Sequence, residues 1–80
     1  MALDRDSLLA FMRTELDLDE PVTDDTPLFS GGLLDSFAMV TLVGHVEKSA
    51  GIRLSPGDVN LNNLDTIDRI LRLAERKKAK

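Results

Sequence analysis

The chain has no cysteine, tryptophan or tyrosine, a single histidine, and only three phenylalanines, Phe11, Phe29 and Phe37, among its 80 residues. Without cysteine there is no disulfide, no thiolate metal site and no thiol nucleophile. One histidine, His45, leaves nothing from which to build a His-based zinc site, and no metal is expected. Scarce aromatics and a formal net charge of −4 are the opposite of a base-stacking, phosphate-neutralising surface, so no nucleic acid partner is expected. No apolar run approaches the length of a membrane span, which predicts no membrane insertion. The opening MALDRDSLLAFM lacks the charged-then-apolar layout of a signal peptide, so a cytoplasmic protein is the expectation. A chain this short supports one domain, residues 1–80, with one small core. A water-excluding catalytic cleft would be hard to fit in it, and the expectation is that it is not an enzyme.

The apolar residues that are present recur at helical spacing. Leu8, Met12 and Leu16 predict a first helix that begins after Asp4, a suitable N-cap. Residues 17–35, DLDEPVTDDTPLFSGGLLD, are punctuated by Pro21, Pro27 and the Gly31–Gly32 pair and predict a long loop. Leu28, Phe29, Leu33 and Leu34 can pin that loop to a core. Met39, Leu42, Val43, Val46 and Ala50 fall on one stripe of a second helix over residues 36–50, which Gly51 ends as a left-handed C-cap. Ser55, Pro56 and Asp58 predict one short helical turn. A last helix starts after Asp65 with Ile67, Ile70, Leu71 and Ala74 on its inner face. No segment alternates strictly with period two. The expected fold is therefore all-α, a small four-helix bundle of three longer helices and one short one, with a long loop between the first and second helices.

Five features could carry chemistry or binding. The acids Asp17, Asp19, Glu20, Asp24 and Asp25 crowd the long loop, but Pro21 and Val22 break the ligand pattern of a calcium loop, and a solvated acidic loop is the expectation. Six of the ten Lys and Arg residues lie between Arg69 and Lys80, where the dipole of the last helix favours cations. His45 lies off the buried stripe and is expected at the solvated surface. The segment GGLLDSF, residues 31–37, reads first as a helix start with Asp35 or Ser36 as N-cap. Yet Ser36 would sit where free N–H groups and the dipole favour an attached phosphate, behind glycines that leave room for another protein. No general base is at hand to make it a hydrolytic nucleophile. Such a serine is better suited to being modified than to catalysis. Beyond it, Phe37 and Val40 begin a second apolar face, and Gly44 lies on the same side of the helix; together they read as a docking patch, the alternative being that Leu33 and Leu34 of the loop cover the pair.

Gly32-Leu33-Leu34-Asp35-Ser36-Phe37, followed by an amphipathic helix ending at Gly51-Ile52 and by Leu64-Asp65-Thr66-Ile67 before the last helix, resembles the acyl carrier protein family over nearly the whole chain. The resemblance implies that Ser36 receives 4′-phosphopantetheine from coenzyme A through a separate phosphopantetheinyl transferase. The arm then supplies the thiol the chain itself lacks. It implies further partners, a cargo-loading ligase or acyltransferase and a downstream acyl-accepting enzyme, for a stand-alone monomeric carrier, with Asp35, Phe37, Val40 and Gly44 as the partner-binding residues. Carriers of fatty-acid synthesis usually place acids along the second helix. Here those positions hold Ala38, Thr41, Lys48 and Ser49, leaving chiefly Asp35 and Glu47. The chain in this respect looks more like D-alanyl carriers and carriers of specialised pathways. The alternatives are a secondary fatty-acid-type carrier and an unmodified helical interaction module.

Overall fold

The computed structural model describes residues 3–78. Met1, Ala2, Ala79 and Lys80, the last of these closing the basic run, lie outside the described residues. Helix α1 spans Arg5–Glu15, α2 Ser36–Ala50, α3 Leu61–Leu64 and α4 Ile67–Lys78, with a 3₁₀ turn at Pro56–Asp58. Among the described residues every regular element is helical, and none is long and apolar enough to cross a membrane.

Each helix boundary has a local cause. Asp4 caps α1 by accepting the Ser7 N–H at 2.8 Å, while its own N–H donates to the Ser7 hydroxyl at 3.2 Å. The far end of α1 closes with Leu16 and Leu18 N–H groups both donating to the Met12 carbonyl, which requires Asp17 in the left-handed region at φ 56°. Gly51, at φ 67°, ends α2 in the same way without the Cβ penalty that Asp17 bears. The last helix is capped differently from the sequence expectation. Thr66, not Asp65, accepts the Arg69 N–H at 3.1 Å. Asp65 instead closes α3, a single turn that the sequence reading did not separate from its surroundings.

The core gathers Leu8 and Met12 from α1, Ala38, Leu42 and Val46 from α2, Leu64 from α3, and Ile67, Ile70, Leu73 and Ala74 from α4. Fully burying each large aliphatic side chain contributes roughly 1.5–3 kcal/mol, more than any single cap supplies, so this stripe pattern decides the fold. Helix α4 packs against each of the other three. Two expected details of the buried faces differ. Met39, Val43 and Ala50 are half-buried while Ala38 is buried, and Leu73 takes the inward place expected of Leu71. Both shifts are a small rotation of the helix about its axis, which changes the facing row without changing the period.

The long loop is pinned as its leucines predict, by buried Leu18, Leu28 and Leu34. Its acidic part is tied down too. Asp24 pairs with Arg5, and its carbonyl accepts the Asp68 N–H at 3.1 Å. The basic end of α4 is held by its own neighbours, with Lys77 on Asp58 at 2.7 Å and Arg76 donating to Asn63 at 3.0 Å.

Candidate functional site

Ser36 is the first residue of α2 and is exposed. Asp35 stands before it as N-cap in extended conformation, and its carboxylate accepts the Ala38 N–H at 2.9 Å. The other side-chain bond of this turn runs from the Thr41 hydroxyl to the Phe37 carbonyl at 3.2 Å, so neither bond involves Ser36. The first N–H groups of a helix have no carbonyl within the helix to receive them. Asp35 satisfies the third of them, and among the described residues the Ser36 and Phe37 N–H groups donate to no other backbone carbonyl or side chain. The arrangement is a free hydroxyl beside open donors at the positive end of a fifteen-residue helix, which favours a phosphodiester on that oxygen.

His45 lies nine residues along the same helix, roughly 13 Å from Ser36 along the axis, and cannot take a proton from its hydroxyl. It is not the solvated surface histidine that its place off the stripe suggests. Its ring stacks on Phe11 of α1, centroids 3.8 Å apart and planes within 8°, with the Ser49 hydroxyl 3.3 Å from Nε2. Burial, with Lys48 nearby, holds the imidazole below its ordinary pKa. An aromatic on the adjacent helix was the missing information, and no periodicity within α2 contains it.

The loop that delivers Ser36 is fixed on the α3–α4 junction. The Leu28 N–H donates to the Asp65 carbonyl at 2.6 Å. The Asp65 carboxylate accepts the Phe29 N–H at 2.8 Å, the Ser30 N–H at 2.9 Å and the Ser30 hydroxyl at 2.6 Å. Burial would push this carboxyl up. The bonds from Ser30 and Phe29, helped by the charge of Arg69, outweigh it and keep the group below its ordinary value. The turn then folds back on itself, with Leu33 and Leu34 N–H groups sharing the Leu28 carbonyl at 3.0 and 2.9 Å. A Cβ at Gly31 would overlap the Pro27 carbonyl oxygen, and Gly32 takes φ 82°, so both glycines are required by the turn itself. Sequence reasoning assigned none of this to Asp65 and Ser30. A carboxylate set between Leu64 and Ile67, both fully buried, was the one available signal.

Beyond the serine, Phe37 is 84% and Val40 73% exposed, and Leu33 and Leu34 do not cover them. A Cβ at Gly44 would meet nothing within 4 Å. At about 100° per residue, positions 37, 40, 41, 44 and 48 share one side of α2, so this face reads Phe, Val, Thr, Gly and Lys. The two acids of the region are committed elsewhere, Asp35 to its cap and Glu47 to the Leu54 N–H at 2.8 Å. A depression of about 240 Å³ between the end of α1 and the start of α2 adjoins the site, with Glu15, Asp17, Asp35 and Phe37 among its walls.

The family described as phosphopantetheine attachment site matches residues 6–74. No curated protein and no solved structure matches the chain.

Proposed function

Because the chain belongs to the phosphopantetheine attachment site family, whose members carry 4′-phosphopantetheine covalently, we propose that Ser36 is its point of attachment and that the protein carries acyl or aminoacyl cargo for a specialised biosynthetic pathway. One observation carries the assignment: an exposed serine, free of internal hydrogen bonds, begins the helix whose first N–H groups are open. When bound, phosphopantetheine supplies the thiol on which cargo is held as a thioester. The chain's own part is to present one hydroxyl. That oxygen attacks the coenzyme A phosphorus bonded to pantetheine, the pyrophosphate P–O bond breaks, 3′,5′-ADP leaves, and the serine proton passes to a base of the transferase. His45, roughly 13 Å away along the helix axis, is out of reach of that proton, and the Asp35 carboxylate is engaged in its cap, which fits this division of labour.

The specialised pathway is supported by the face beyond Ser36. Partner enzymes that read an acidic helix would find here two carboxylates already bound to backbone N–H groups. What is offered is an apolar pair, Phe37 and Val40, beside the low surface at Gly44. We therefore assign Asp35, Phe37, Val40 and Gly44 to the surface that the transferase, the loading ligase or acyltransferase and the accepting enzyme share. Asp35 acts there by fixing the first turn.

The test is incubation with coenzyme A and a broad-specificity phosphopantetheinyl transferase, read by intact mass. Wild type gains one phosphopantetheine, and Ser36→Ala gains none while keeping its helix content. Modification of the Ala variant would move the site elsewhere, and an unmodified wild type would leave a helical interaction module. The intact mass of the protein from its native cell would weigh the cargo.

A further inference from the structure

We infer that Asp65 is a positioning residue for the modification of Ser36, acting through the loop that ends at the Asp35 cap; this rests on Ser36 being the attachment point. Four donors from three consecutive residues, Leu28, Phe29 and Ser30, converge on this one side chain and its carbonyl. Asp65 is itself held on both sides. Its N–H donates to the Leu61 carbonyl at 3.1 Å at the end of α3, and the next residue, Thr66, caps α4. It is 8% exposed. The junction of two helices thereby acts as a fixed post for the loop.

From that post to the serine the chain has little freedom. The Leu28 carbonyl holds Leu33 and Leu34, Leu34 is buried, and Asp35 follows directly with its carboxylate on Ala38. Removing the Asp65 carboxylate leaves the Phe29 and Ser30 N–H groups without acceptors inside a partly buried turn. The turn would then reach for water and shift the entry into α2. The large core side chains, Leu8, Met12, Leu42, Val46, Ile70 and Leu73, make no part of the clasp, so the bundle outlasts its loss. A serine misplaced by about 1 Å costs a positioned reaction up to about a hundredfold.

The experiment compares the full chain with Asp65→Ala, Asp65→Asn and Val43→Ala. It uses coenzyme A and a broad-specificity phosphopantetheinyl transferase at a temperature where circular dichroism shows every variant folded. Asp65→Ala loses about tenfold or more in kcat/KM. Asp65→Asn, which keeps an oxygen for both N–H groups, stays within about threefold of wild type. Val43→Ala, which removes half-buried apolar volume away from the clasp, modifies normally at comparable loss of stability. A second readout does not depend on modification. In Asp65→Ala the Ala38 amide, which reports the Asp35 cap, loses hydrogen-exchange protection relative to the middle of α2. Wild-type kcat/KM in folded Asp65→Ala, or an equal loss in Val43→Ala, overturns the inference and leaves Asp65 a stability residue. Failure of wild type to be modified overturns the Ser36 assignment instead, and the exchange arm then decides whether Asp65 governs the start of α2.

Discussion

Replacing Gly44 with alanine should stabilise the protein. Gly44 lies inside α2, is exposed, and has a backbone that alanine adopts without strain. A Cβ placed there meets nothing within 4 Å, so no packing is gained and none is disturbed. What remains is the backbone term: glycine in a helix interior is less favourable than alanine by about 0.8–1.0 kcal/mol, mostly because the unfolded chain is freer. In a domain of this size ~1 kcal/mol moves the melting temperature by about 4–8 °C. Far-UV circular dichroism during heating reads the shift, and urea unfolding should show a higher midpoint with an unchanged slope. An unchanged or lower melting temperature would mean that α2 is not continuous through position 44. Gly44→Leu then separates stability from function. It should keep the fold while slowing modification by the cell's own transferase, because a side chain now stands on a surface that is otherwise low. Normal modification of that variant would confine docking to Phe37 and Val40.

Phe37→Ala and Val40→Ala should leave stability within about 0.5 kcal/mol while weakening transferase binding, measured by titration, since both side chains are exposed. Glu47→Lys should instead cost about 1–3 kcal/mol in urea unfolding by leaving the Leu54 N–H unpaired; a large binding defect there with a neutral Phe37→Ala would restore an electrostatic interface. His45 is held below its unfolded value of 6.5, so the unfolded chain takes up its proton first as pH falls. Stability from this group is therefore complete above pH 6.5 and is lost progressively below it, and His45→Gln should flatten that limb of the stability–pH curve.

Helix α2 was legible to its last residue because three local signals agree: an Asp cap, a period of 3.6 and a glycine at the left-handed end. The exposure of Ser36 was legible for the same reason, since it follows from being first in a capped helix. Helix α3 was not, since LNNL is too short to show a period. Asp65 was read as a helix start because a carboxylate stands there with Asp68 three residues on, and its true partners lie 35 and 36 residues away. His45 failed likewise, its environment being set by Phe11 on another helix. The legible part was thus whatever neighbours in sequence decide. The residues that anchor the loop before Ser36 from a distance left only a trace, an acid among buried aliphatics.

That separation also orders events in time. Helix α2 and its cap form from adjacent residues within about a microsecond, whereas joining Phe29 to Asp65 must first close a span of 36 residues. A ribosome delivers Ser36 well before Asp65. The serine is therefore made before the α3–α4 junction, and the loop that leads to it gains its bonds to Asp65 only once that junction has been synthesised and docked. Ser36 thus depends for its setting on residues made after it, and a chain ending before Asp65 would carry the serine without the bonds that hold its loop.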